Sequence, residues 1–362
     1  MCTICSQNIK MKRKWEIITF MGPILTFIIV FSIILKNATQ SDAFNVIKSV
    51  EKPRKLIIDT DAGADDALAI LLALKYEAAH QKSIEIIAIT CTYGNTEVKN
   101  VETNVLKILT VANRSDIPVY GGAELPLIKH WEDTHYFGKD GLGDFNFEEE
   151  IKFSVNRSKH ASIALIDLVK ANPGEVSIIA LGPLTNIALA IKLDRTFISL
   201  VKELHIVGSS VYGTGNISPN VEFNIGTDPE SSFIVFNSTT KPIILMPWEI
   251  VTESPILKTW RTNLFGKLKS KAVEFLNNAE KIFLMNTDSW TAIDGRIIAA
   301  FCWPNLILKS LLTNVTPVFD GAAQGSVLVD YINITGKAHN ARIIQAFDVE
   351  LYQKKLVQYF AD

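Results

Sequence analysis

Two kinds of apolar pattern alternate along most of this chain. Largely apolar blocks at 56–59, 84–91, 117–120, 176–181, 204–207 and 243–246 read as buried strands. Between them apolar positions return at helical spacing, clearest up to about Ala79 and over 97–112. Strands separated by helices predict a doubly wound α/β fold, a mainly parallel sheet with helices on both faces. The alternation begins at Lys55 and shows no second boundary, so 55–362 reads as one domain.

In such sheets ligands bind beyond the carboxyl ends of the strands, so polar clusters should follow strands rather than precede them. They do here: Asp59 and Asp61 follow the first strand, Tyr93-Gly94-Asn95 the second, and Gly182 to Asn186 a later one. Gly213 to Asn216 and Glu222 to Asn224 follow the next. At the first of these turns four carboxylates, Asp59, Asp61, Asp65 and Asp66, fall within eight residues, and no Lys or Arg occurs from Leu56 to Leu74. Like charges held so close require a cation or a proton between them. Asp65 and Asp66 could serve only the first turn of a helix. Neither capping nor the helix dipole explains both Asp59 and Asp61, and a set of oxygen donors suits calcium or magnesium better than zinc.

Phosphatases of the haloacid dehalogenase type want Thr or Val where this chain has Gly63, and glycosyltransferases use an isolated Asp-x-Asp. The string Asp59-Thr60-Asp61-Ala62-Gly63-Ala64-Asp65-Asp66-Ala67 instead resembles the signature of the calcium-dependent nucleoside hydrolases, the inosine-uridine preferring family. The signature usually carries Pro in place of Ala62. The similarity continues in the family's order from about Lys55 to the C-terminus. It implies calcium bound by Asp61, Asp66, Asp294 and the backbone carbonyl of Leu181, with Asp61 also the general base. It further implies that Asp65, Asn95, Asn216, Glu222 and Asn224 grip the ribose hydroxyls of a ribonucleoside or support that grip, with Asp59 behind them. Relatives form dimers or tetramers, and the same is expected here.

Two departures bear on the leaving group. Ile293 stands where relatives place His, Trp or Cys, and Phe137 stands where some place His in a Gly-rich lid, His135 being a candidate substitute. Activation of the base would then fall to stacking on Phe137, Tyr212, Phe223 or Trp290. The same departures leave open a nucleoside-binding protein without effective catalysis. They also leave open a hydrolase of another N-riboside, such as nicotinamide riboside, whose base leaves without protonation.

Composition changes the picture mainly at the N-terminus. A net charge of −2 over 362 residues offers nothing to recruit nucleic acid. The basic segment 1–16 precedes an uncharged apolar run at 17–35, which as a helix would reach about 28 Å. This reads as a signal peptide or signal anchor, with 36–54 a linker, and predicts a secreted or lumenal domain anchored at most by that run. Cys91 and Cys302 read as buried thiols, and seven Asn-x-Ser/Thr sequons fit an extracytosolic glycoprotein.

Overall fold

The structure is a computed structural model that describes residues 52–80 and 83–361. The basic segment, the apolar run and nearly all of the linker lie outside the described residues. Among the described residues no helix is long and apolar enough to cross a membrane.

Eight strands form the main sheet: β1 (Arg54–Thr60), β2 (Ile84–Cys91), β3 (Val119–Tyr120), β4 (Val176–Ala180), β5 (Glu203–Val207), β6 (Ile243–Met246), β7 (Ile307–Thr313) and β8 (Ala341–Phe347). Their order is β3-β2-β1-β4-β5-β6-β8-β7. All neighbours are parallel except the edge strand β7, which runs antiparallel to β8. The chain leaves β1 toward one edge and returns at β4 to build the other half. The crevice beyond the carboxyl ends of β1 and β4 is therefore the switch point at which such sheets bind ligands.

Successive side chains of β1 face opposite ways, which divides the core. Leu56 and Ile58 join one apolar cluster and Ile57 the other. Helices α1 (Ala64–Ala79), α2 (Val98–Val111), α6 (Lys271–Ala279), α7 (Asp294–Cys302) and α8 (Val349–Phe360) cover the first face. Helices α3 (Ala161–Ala171), α4 (Thr185–Leu193) and α5 (Pro229–Ser238) cover the second. Helix α1 is apolar on all sides, Ala67 to Leu74 being buried without exception, because α6, α7 and α8 pack over it. Gly295 lets α7 approach: a Cβ there would collide with the Tyr352 hydroxyl and sit 2.9 Å from Leu68 Cδ2. That contact brings the first residue of α7, Asp294, to the first turn of α1.

Candidate active site

The turn after β1 is built by its own side chains. Gly63 precedes α1 in extended conformation, and its N–H donates to Asp66 Oδ2 at 2.9 Å. Asp66 Oδ1 accepts from Thr60 Oγ1 at 2.5 Å, and Thr60 Oγ1 accepts from the Ala62 N–H at 3.0 Å. Ala62 turns with φ +28°. Asp66 thus serves as a helix cap as well, and Asp65 Oδ1 is buried with no hydrogen-bond partner among the described residues. Ligand atoms of Asp65, Asp66 and Asp294 lie within 4.8 Å of one another.

Asp61 stands beside this group, held differently. The Asn95 N–H donates to its Oδ2 at 2.8 Å, while Asn95 Nδ2 donates to Asp66 Oδ2 at 3.2 Å. Its carboxylate is wedged between Gly94 and Gly182, where a Cβ on either residue would fall onto it. Asp59 lies one layer deeper, its Oδ1 accepting from Thr90 Oγ1 at 2.5 Å and from Asn186 Nδ2 at 2.9 Å. The carbonyl of Leu181, just past β4, accepts from Asn224 Nδ2 at 2.6 Å.

Burial dominates the electrostatics. It pushes the carboxyls of Asp61, Asp65 and Asp294 well above the usual range, and the charges of neighbouring aspartates push them further. Asp66 is also raised by burial, although Thr60 and the Gly63 amide pull it back. Asp59 rises to about 6 through burial alone, opposed by Thr90 and Asn186. Four carboxyls in one buried spot, an oxygen without a donor and no basic side chain among the bonds just described form a set that a hard divalent cation satisfies. The residues therefore fit a metal ion.

Above the cluster opens a cavity of about 350 Å³. Its lining includes the polar residues Asp65, Asn95, Asn216 and Glu222 and the apolar residues Tyr136, Phe137, Phe223, Phe283, Trp290 and Ile293. Neither Lys nor Arg nor His lines it. Glu222 caps the short helix Phe223–Thr227, taking the Asn224 N–H at 2.9 Å on Oε1 and the Ser209 N–H at 2.7 Å on Oε2. Burial still lifts its carboxyl to about 7 against these amides.

Most of the residues named from sequence thus converge, with exceptions. Asn224 is buried behind the cavity and tethers Leu181 to Val207. Tyr212, expected to stack on the base, does not line the cavity: the residue is 49% exposed and its ring packs on Tyr331. His135 cannot replace the missing His either, because it lies outside the cavity with Nδ1 3.0 Å from Asp133. Sequence reasoning did not find Tyr136 or Glu280. Tyr136 lies in the aromatic run of the Gly-rich segment and bonds Thr291; burial first and the Asp65 charge second raise its phenol. Glu280 gave no signal at all, being one charged residue in the mixed segment between two short helices.

Residues 56–354 match the family described as inosine-uridine preferring nucleoside hydrolase. A probable uridine nucleosidase 1 of Oryza sativa subsp. japonica is 41% identical over 186 residues, and that match spans about half of each chain, 51% of this one and 55% of the rice protein. The non-specific ribonucleoside hydrolase RihC of Salmonella typhi is 32% identical over 313 residues, 84% of this chain and 97% of its own. A solved plant nucleoside hydrolase, PpNRh1, superposes with a TM-score of 0.78 at 29% identity, covering 86% of this chain and all 100% of the other. On the match to the family over most of its length, the chain belongs to the inosine-uridine preferring nucleoside hydrolase family.

Proposed function

We propose that the protein hydrolyses the N-glycosidic bond of ribonucleosides, releasing free base and ribose, with calcium as its metal. The observation that carries this reading is the placement of a carboxylate cluster, Asp65, Asp66 and Asp294, at a cavity lined by both polar and aromatic side chains. A ribose needs hydroxyl acceptors and a base needs flat apolar walls, and the cavity supplies both. Because its lining includes Asp65, Glu222 and Glu280 and no Lys, Arg or His, it repels a phosphate and favours nucleosides over nucleotides.

Asp66, Asp294, Asp61 and the Leu181 carbonyl would hold the ion, and Asp65 completes the carboxylate group on the cavity side. When bound, calcium would lower the pKa of a water and orient it toward the anomeric carbon. Asp61, fixed by the Asn95 N–H and the two flanking glycines, takes the proton of the attacking water. Asp65, Asn95, Asn216 and Glu222 orient the ribose, while Asn224 and Asp59 hold the surrounding backbone and side chains in place. Charge that develops on the ribosyl ring during cleavage is opposite in sign to these carboxylates. Delivery of the domain across a membrane by residues 17–35, and assembly into a dimer or tetramer, belong to the same reading and rest on sequence pattern and resemblance.

A second reading is favoured by the absence of His, Lys and Arg from the lining together with Ile293 in the cavity wall. Without a strong acid beside the base, an N-riboside whose base departs as a neutral molecule, such as nicotinamide riboside, is the better substrate. One experiment separates the two: base release by the full chain from inosine, adenosine, guanosine, uridine, cytidine and nicotinamide riboside, with calcium and with chelator. Chelator-sensitive release from the ordinary nucleosides is expected, and Asp61→Ala should abolish it while circular dichroism stays unchanged. Release from nicotinamide riboside alone would select the second reading, and an undiminished rate in Asp61→Ala would remove Asp61 from the mechanism.

A further inference from the structure

Asn216 reaches the cavity from a segment, 208–221, that lies outside the strands and helices and follows β5. Its backbone has positive φ at Gly208, Ser209, Gly213 and Gly215, so the chain there turns repeatedly without a ladder of its own. One buried carboxylate gathers it. Glu249 Oε1 accepts from Ser210 Oγ at 2.8 Å, from the Tyr212 N–H at 2.9 Å and from Thr214 Oγ1 at 3.1 Å. Ser210 Oγ in turn accepts from the Gly215 N–H at 2.9 Å. The segment is thus tied to a single oxygen up to the residue before Asn216, whose own N–H donates to the Val221 carbonyl at 2.9 Å.

Glu249 is itself fixed from behind. It opens the short helix Glu249–Glu253. The Ile250 carbonyl accepts from Arg296 Nη1 at 2.8 Å, and the Ser254 carbonyl, just past the helix, accepts from Arg296 Nη2 at 2.9 Å. Arg296 is fully buried on α7, two residues after Asp294. On the other side, the N–H of Trp248, a cavity residue, donates to the Ser209 carbonyl at 3.0 Å. A segment containing several glycines has many conformations open to it, and bonds to a charged acceptor are among the strongest that can select one.

We infer that Glu249 is a positioning residue for the ribose: it holds the turn at 210–215 so that Asn216 is presented to the cavity. The inference rests on the nucleoside hydrolase reading, in which Asn216 orients the ribose, and adds to it a residue that does not line the cavity. Glu249 acts through hydrogen bonds and not through its charge on the ligand. That charge does reach Glu222 and adds to the rise of its carboxyl. Glu222 is nevertheless held by the N–H groups of Ser209, Asn224 and Ile225. A Gln in place of Glu249 keeps one oxygen for the three donors and removes the charge, which separates the two effects.

The test is a double-mutant cycle in the full chain, read as kcat/KM on inosine or uridine, whichever wild-type protein hydrolyses faster. Glu249→Ala should lower kcat/KM at least about tenfold, and Asn216→Ala by a similar factor or more. The double variant should lie within about twofold of Asn216→Ala alone, because a residue that acts through another adds nothing once that other is gone. Glu249→Gln should stay within about fivefold of wild type, since the donors keep an acceptor. Losses that multiply in the double variant, a Gln variant as slow as the Ala variant, or an unchanged rate in Glu249→Ala would each overturn the inference and leave the hydrolase standing. If circular dichroism shows Glu249→Ala to be unfolded, Thr214→Val decides in its place, since it removes one donor at an exposed position. It should slow the wild-type protein about threefold and Asn216→Ala not at all, and equal slowing in both backgrounds would overturn the inference. No base release from any nucleoside by wild-type protein would overturn the hydrolase reading, and the inference would fall with it.

Discussion

At the scale of single residues, the site depends on what is absent as much as on what is present. Asp61 keeps its place because Gly94 and Gly182 have no side chain on either flank. Neither glycine has a positive φ, so the requirement is space alone and not backbone freedom. Gly94→Ala would drive a methyl group onto Asp61 Oδ2 and displace the carboxylate from the Asn95 N–H. A displacement of about 1 Å in a reacting group typically lowers rate by about a hundredfold. We expect kcat/KM of Gly94→Ala to fall by at least that factor, and the clash with buried Asp61 to cost about 1–3 kcal/mol of stability as overpacking does. Retention of most of the activity would mean that Asp61 tolerates a second position and that its placement is not critical.

At the scale of elements, the site is made by two helices whose N-termini meet. Asp65 and Asp66 open α1 and Asp294 opens α7, and each carboxylate gains from the positive end of its own helix. The contact at Gly295 sets the spacing between them. Gly295→Ala gains about 1 kcal/mol in helix propensity but forces a methyl group into Tyr352 and Leu68, both fully buried. Overpacking of this kind costs about 1–3 kcal/mol, so the clash outweighs the propensity. Denaturant titration should show that net loss, and calcium affinity should weaken with it because Asp294 moves away from Asp66. A variant with wild-type stability would show that the helices can separate without strain.

This geometry also explains what the sequence disclosed and what it withheld. Asp59, Asp61, Asp65 and Asp66 are neighbours in the chain, so their crowding was visible without a structure. Asp294 is remote, and only resemblance pointed to it. Strands β7 and β8 escaped notice because β7 is an edge strand with a broken apolar pattern, exposed at Leu308 and Lys309. Tyr212 is a candidate stacking residue by sequence, but its ring packs on Tyr331 and it does not line the cavity. Glu280 had no local signature, since its character comes from Arg261 and Trp290, which only the fold brings to it.

At the scale of the whole molecule, the cluster makes stability depend on pH and on the cation together. A carboxyl whose folded pKa lies above its unfolded value takes up a proton on folding. Its stabilising effect is complete below the unfolded pKa and is lost as pH rises through the folded one. Asp59 moves from 3.8 to about 6 and Glu222 from 4.5 to about 7, both mainly through burial. Asp61, Asp65, Asp66 and Asp294 move in the same direction. Without a divalent cation, stability should therefore decline from about pH 4 to about pH 7 as these groups ionise in the buried site. A cation that binds the folded state opposes the decline and does so most at high pH, where protons no longer compete for the same oxygens. At a calcium concentration about a hundredfold above its dissociation constant the gain is about 2.7 kcal/mol, or several degrees in thermal midpoint. Melting curves with calcium and with chelator should nearly coincide at about pH 5 and separate progressively toward pH 8. Curves separated equally at every pH would show that the ion binds away from these carboxylates, and curves that never separate would remove the cation from the site.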